Sequence, residues 1–142
     1  MLKNVSPIIS PMLLKILCEM GHGDEIVLAD ANFPAESIAQ NSRLVRADGL
    51  GVSELLEAIL PLFPLDQYDN ENFILMQVVD GDPVPSIWDE LKCTLEKHEP
   101  KCDMTFIERF DYYERAKKAY AVVATGEKAQ YSNVILKKGV IF

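Results

Sequence analysis

The chain has little histidine, cysteine or basic charge and no long apolar run, and each shortage excludes something. Its 142 residues hold 14 Lys and Arg against 22 Asp and Glu, a net charge of −8 at pH 7. Binding carried by phosphates needs a basic face, so nucleic acid and anionic membrane surfaces are poor partners. Met12–Leu14 runs into Lys15, and Leu55–Phe63 is interrupted by Glu57 and Pro61. Neither approaches the about 20 apolar residues of a membrane-spanning helix. The opening MLKNVSPIISPML has no long apolar core followed by a small-residue cleavage site. The three cysteines, Cys18, Cys93 and Cys102, are odd in number, irregularly spaced and contain no CxxC pair. That usage suits reduced thiols better than a disulfide framework or a thiolate zinc site. The chain therefore reads as cytoplasmic. It also lacks a GxGxxG fingerprint, a Walker loop, HExxH and GxSxG, so no cofactor is expected. His22, Asp24 and Asp30 lack a second nearby histidine, and no metal site is expected.

What is present fits one globular domain over residues 1–142, with 49% hydrophobic and 25% charged residues. Ser10 and Pro11 open a predicted helix through Leu13, Leu14, Ile16 and Leu17, with Gly21 as its stop. Glu25–Ala29, EIVLA, reads as a buried strand ending at Asp30. A turn at Phe33–Pro34 leads to a short helix through Ile38, and Arg43–Ala47 is a second strand. Ser53 is the expected cap of a helix carrying Leu55, Leu56, Ile59 and Leu60. Phe73–Val79, FILMQVV, is the strongest strand signal, followed by a turn at Asp80–Pro83. A helix over Pro85–Glu99, a weaker strand over Met104–Glu108, a helix over Asp111–Ala119, and strands at Ala121–Thr125 and Val134–Leu136 complete the series. The alternation predicts an α/β domain whose central sheet, mainly parallel or mixed and of five or six strands, is flanked by helices.

Candidate chemistry concentrates in a few positions. Of the two histidines, His98 sits in the charged stretch EKHEPK and reads as a solvated surface residue. His22 lies between Gly21 and Gly23, where backbone freedom allows another group to approach closely. It is either an ordinary turn residue after a helix or a functional imidazole, a group that titrates near neutrality. Asp30 ends a strand where ligands of α/β sheets bind, yet it equally suits a turn cap before Asn32. Arg109 stands between a strand and a helix. It either offers paired hydrogen bonds to a polar ligand or makes a surface ion pair with Glu108 or Glu114. Tyr131 and Asn133 enter the last strand with donors and acceptors suited to a hydroxyl-rich ligand or to a simple turn.

Several segments together carry a resemblance. LKNVSPIISPMLLKILCEMGHGDEIVLADANFP, VRADGLGVSELLEAILPLFPLD and RFDYYERAKKAYAVVATGEKAQYSNVILKKGV span the chain from end to end. With GHGD, the Asp of LAD, the Arg of ERF and YSN in order, the sequence resembles the fucose mutarotase/ribose pyranase family. The resemblance implies an isomerase that interconverts the anomers, and in some members the ring forms, of free monosaccharides. His22 matches the family's catalytic histidine. Asp30, Arg109 and the Tyr131–Ser132–Asn133 stretch match its sugar-contacting positions, with Ser132 expected to act through its backbone. Ribose pyranases carry histidine where Arg109 stands, so the resemblance implies L-fucose as the small-molecule partner. It also implies a homo-oligomer, commonly a decameric ring with sites at subunit contacts. The apolar end Val140-Ile141-Phe142 is consistent with such a contact. Ribose pyranase, a broader pyranose mutarotase and a non-catalytic sugar-binding protein are the alternatives.

Overall fold

Helices and strands alternate because segments with apolar residues at helical spacing are followed by short, mostly continuous apolar runs. A computed structural model describes Met1–Phe142. In chain order the elements are α1 (Pro11–Glu19), β1 (Glu25–Ala29), α2 (Ala35–Ile38), β2 (Arg43–Ala47), α3 (Val52–Ile59) and β3 (Phe73–Met76). They continue with α4 (Ile87–His98), β4 (Thr105–Ile107), α5 (Arg109–Lys117), β5 (Ala121–Thr125) and β6 (Val134–Lys137). The six strands form one sheet in the order β2-β5-β1-β6-β3-β4. β5 is parallel to β1 and β2, and β4 is parallel to β3, while β6 runs antiparallel to β1 and β3. The expected mixed sheet is present, with six strands. No helix is long and apolar enough to cross a membrane.

Strand periodicity divides the interior into two cores. Ile26, Leu28, Phe73, Leu75, Ala121, Val123, Val134 and Leu136 face one side with α1, α3 and α4. Val27, Ala29, Ile74, Met76, Val122, Ala124 and Ile135 face the other with α2 and α5. Because both faces are covered, the central strands are apolar at nearly every position, which explains why EIVLA and AVVAT read as continuous runs.

Helix ends depart from the sequence expectations in instructive ways. Ser10 does cap α1, accepting from the Leu13 amide at 3.1 Å, a contact worth about 1 kcal/mol. Gly21 does not stop that helix through a left-handed turn. The extended cap is Met20, and Lys138 Nζ donates to the carbonyls of Leu17 and Met20 at 2.7 and 2.6 Å. A cation at the negative end of the helix replaces the glycine motif. The left-handed position is Gly23, with φ +86°, where a side chain would be strained. Ser53 is not a cap either. It lies inside α3 and donates to Glu90, while Glu54 reaches back to accept from the Gly51 amide at 2.7 Å. The strand predicted to Val79 ends at Met76, because past the Gln77 amide bond to Ile107 the chain leaves the ladder. His98 is not solvated. Its side chain is 17% exposed and sits 3.1 Å from Glu57 on α3.

Candidate functional site

β6 decides which residues meet. Its antiparallel course starts where the parallel strands end, since Val134 lies opposite Leu28 and Leu75. The residues just before it, Tyr131–Asn133, therefore meet Asp30 after β1, Met76 at the end of β3, and Arg109 at the start of α5 after β4. Asp30, Asn32, Phe33, Met76, Arg109, Tyr113, Gln130 and Tyr131 line a cleft of about 460 Å³ there.

Asp30 and Asn133 form its floor. The Asp30 amide donates to Asn133 Oδ1 at 2.8 Å, and Asn133 Nδ2 returns a bond to Asp30 Oδ2 at 3.1 Å. Asp30 Oδ1 accepts from the Asn32 amide at 3.0 Å, the turn cap that the sequence offered as one of its two readings. Both side chains are buried. Burial pushes the Asp30 carboxyl above its ordinary value, against the lowering pull of the Asn32, Phe33 and Ser132 amides and of Asn133. A carboxylate held this way is a directed acceptor for a ligand hydroxyl. Ser132 is fully buried, and its hydroxyl donates to the Ala129 carbonyl at 2.8 Å, which leaves it no side-chain role in the cleft.

Arg109 is exposed, and no carboxylate pairs with it. Glu108 instead caps α5 through the Phe110 and Asp111 amides, and Glu114 pairs with Lys117. The guanidinium lies over the Phe110 ring, 4.7 Å from its centroid, with its donors available to the cleft. At the far end of α5, Arg115 grips Glu25 with three bonds of 2.7–3.1 Å, fixing the helix against β1. Tyr131 adopts φ +57°, and its hydroxyl donates to Asp82.

His22 is elsewhere. It precedes β1 while Asp30 follows it, so the strand's five residues separate them, roughly 16 Å at about 3.3 Å per residue. The turn that carries His22 is tied to the end of β6 by Gly23 N to Lys138 O and Lys138 N to Asp24 O, both 2.8 Å. His22 Nε2 lies 3.1 Å from Asp66 Oδ1, with the imidazole side chain 46% exposed and the carboxylate 4%. Tyr68 packs 5.5 Å from the imidazole ring, and Phe142 lies 6.5 Å from Tyr68. Within one chain the structure thus unites Asp30, Arg109, Tyr131 and Asn133 and holds His22 apart. No three His, Cys, Asp or Glu side chains converge as a metal set.

Residues 3–141 match the RbsD / FucU transport protein family. The chain belongs to that family. Among solved RbsD/FucU structures, FucU from Bifidobacterium longum is 52% identical, covering 99% of this chain and 100% of its own, with a TM-score of 0.96. The fucose mutarotase from Streptococcus pneumoniae, solved in complex with L-fucose, is also 52% identical with the same coverage and a TM-score of 0.93. Bacillus subtilis RbsD, complexed with D-ribose, is 25% identical over both full chains with a TM-score of 0.75. The RbsD/FucU fold therefore extends over the whole chain.

Sequence reasoning missed Met76, Phe33 and Tyr113 in the cleft, and Asp66 and Tyr68 beside His22. Met76 and Phe33 carry apolar side chains that read as core. Asp66 is 44 residues from His22, and nothing local joins them.

Proposed function

We propose that this chain is an L-fucose mutarotase, interconverting the α and β anomers of the free sugar by acid–base ring opening and closing. The observation that carries the reading is the cleft that gathers Asp30, Asn133, Arg109 and Tyr131 at the carboxyl end of β1, on a chain 52% identical over nearly its full length to a fucose mutarotase solved in complex with L-fucose. Asp30 and Asn133 take sugar hydroxyls, Arg109 donates to them, and Tyr131 fixes a further polar edge. Met76 and Tyr113 supply the apolar wall.

Mutarotation moves only protons. The anomeric hydroxyl loses one, the ring oxygen gains one, and the C1–ring-oxygen bond breaks to give the open aldehyde. The carbonyl turns over and the ring closes. An imidazole suits the acid role, and a positioned acid or base typically contributes about a hundred- to ten-thousand-fold. His22 is that acid in this reading, with Asp66 holding its ring.

His22 reaches the cleft from a second copy of the chain. Exposed Tyr68, Ile141 and Phe142 mark its end of the molecule, and exposed Val79 and Phe110 flank Arg109 at the other. A head-to-tail contact between these two ends joins them, and repetition of such a contact closes a ring where the rotation between copies divides the full turn. This supports the homo-oligomer, and a decamer is one such closed ring. With no apolar spanning helix and a free sugar as substrate, the cytoplasm is the proposed location.

A second reading has an observation of its own. No histidine lines the cleft of a single chain, so a lone subunit would hold a sugar without exchanging its anomers. Saturation-transfer NMR between the two anomeric protons of L-fucose, with D-ribose alongside, separates the readings. Faster exchange for L-fucose is expected. A protein that binds L-fucose and leaves its exchange at the water rate is a binding module, and faster exchange for D-ribose makes it a pyranase.

A further inference from the structure

Tyr131 is held more tightly than a lining aromatic requires. Its left-handed backbone, φ +57°, is one that side chains other than Gly, Asn and Asp seldom adopt. Its carbonyl accepts from Trp88 Nε1 at 2.8 Å, and Trp88 packs on Phe106 with ring centroids 4.9 Å apart. Its hydroxyl donates to the Asp82 carboxylate and accepts from the Val79 amide at 3.3 Å. Asp82 and Val79 belong to the segment between β3 and α4, which has no helix or strand and is exposed from Val79 to Val84. Apart from the bonds to Tyr131, residues 78–84 make no hydrogen bond to another element. Residues 78–84 are a strap whose one polar fastening to the rest of the chain is a cleft residue. Its Val79 and Asp80 also line the hollow beside Arg109.

The bonding arithmetic has a consequence for the ligand. A phenol has one proton to donate. That proton is committed to Asp82, and one acceptor position is committed to Val79. What remains for the cleft is an acceptor.

We propose that Asp82 is a positioning residue of the sugar site: by taking the phenolic proton it makes Tyr131 meet a sugar hydroxyl as an acceptor, and it holds the strap over residues 78–84 against the cleft. This rests on the reading of the cleft as a monosaccharide site. Without Asp82 the phenol is free to turn its proton into the cleft, and the strap loses its anchor. The bond to Asp82 also raises the ionisation of the Tyr131 phenol above its ordinary range, while the Val79 amide and the Arg109 charge oppose it.

The test uses the intact protein, Asp82→Ala, Asp82→Asn, Tyr131→Phe and the double variant Asp82→Ala/Tyr131→Phe. L-fucose affinity is measured by calorimetry, which requires no turnover. Asp82→Ala is expected to weaken binding about fivefold in the presence of Tyr131 and to add nothing in the Tyr131→Phe background. Asp82→Asn, whose amide oxygen still accepts the phenolic proton, stays within about twofold of wild type. Without sugar, ultraviolet titration against the Tyr131→Phe chains shows the Tyr131 phenol ionising at lower pH in Asp82→Ala. Equal losses in both backgrounds, an unmoved phenol, or a loss as large with Asn as with Ala overturns the proposal. A wild-type protein that binds L-fucose normally but does not exchange its anomers refutes the mutarotase reading alone. One that binds no L-fucose overturns both.

Discussion

The two ends of β1 are built on opposite principles. At the carboxyl end, Asp30 and Asn133 are buried and bonded to each other twice, and Arg109 is set by a helix fixed through Arg115. At the amino end, His22 stands on a glycine turn with nearly half its side chain in solvent, its ring held by one hydrogen bond to Asp66 and by packing against Tyr68. Recognition of a polar ligand is sharper where the groups that meet it are held by packing and supporting hydrogen bonds. A proton donor that must approach from outside needs an exposed one. In the proposed function this contrast makes each chain half of two sites, paired through a second copy of the chain.

The largest expected effect falls on the exposed end. His22→Ala should slow anomer exchange of L-fucose by about a hundred- to ten-thousand-fold. L-fucose affinity and thermal midpoint should change little, as an exposed turn residue allows. A loss of binding equal to the loss of rate would erase the division between the ends. Next comes the buried end. Asp30→Ala should weaken L-fucose binding by about ten- to a hundredfold, measured calorimetrically, because it removes a charge-assisted acceptor.

The same carboxylate has a signature in stability. Burial raises its pKa above 3.8 in the folded chain, so folded Asp30 keeps its proton at a pH where the unfolded chain has lost it. As pH rises from 3.8 through the elevated value, its contribution to stability therefore falls. The stability advantage of wild type over Asp30→Ala should shrink across that window, read from thermal midpoints at successive pH values. A constant difference would mean that Asp30 titrates as in the unfolded chain. The smallest effect concerns Tyr112, fully buried beneath Asp30 on α5 with a hydroxyl that has no partner. Tyr112→Phe removes an unsatisfied polar atom, and chemical denaturation should show stability unchanged or raised by up to about 1 kcal/mol. A loss above that would reveal a partner for the hydroxyl.

Much of this was legible in the residues. β1, β2 and β5 match the expected strands residue for residue, because each is an apolar or alternating run closed by Asp or Gly. Gly126, just past β5, has a packing role that punctuation alone does not reveal. A Cβ there would lie 2.0 Å from the Asp48 carbonyl, where two loops cross at the carboxyl edge. Strand direction was not legible. Nothing in VILK says that it runs against its neighbours, yet that reversal brings Asn133 to Asp30. The end of α1 was misread because its capping cation, Lys138, is more than a hundred residues away. For the site, the resemblance nominated the residues, while the fold shows that His22 and the cleft lie at opposite ends of one strand.

That separation is the central claim, and subunit mixing tests it most directly. His22→Ala and Asn133→Ala should each be inactive alone. Unfolded together and refolded as mixed oligomers, they should recover roughly a quarter of wild-type exchange, since random pairing across a head-to-tail contact leaves that fraction of sites with both groups intact. Mixed oligomers no more active than the two separate variants would contradict it, and would place His22 and the sugar cleft in the same chain.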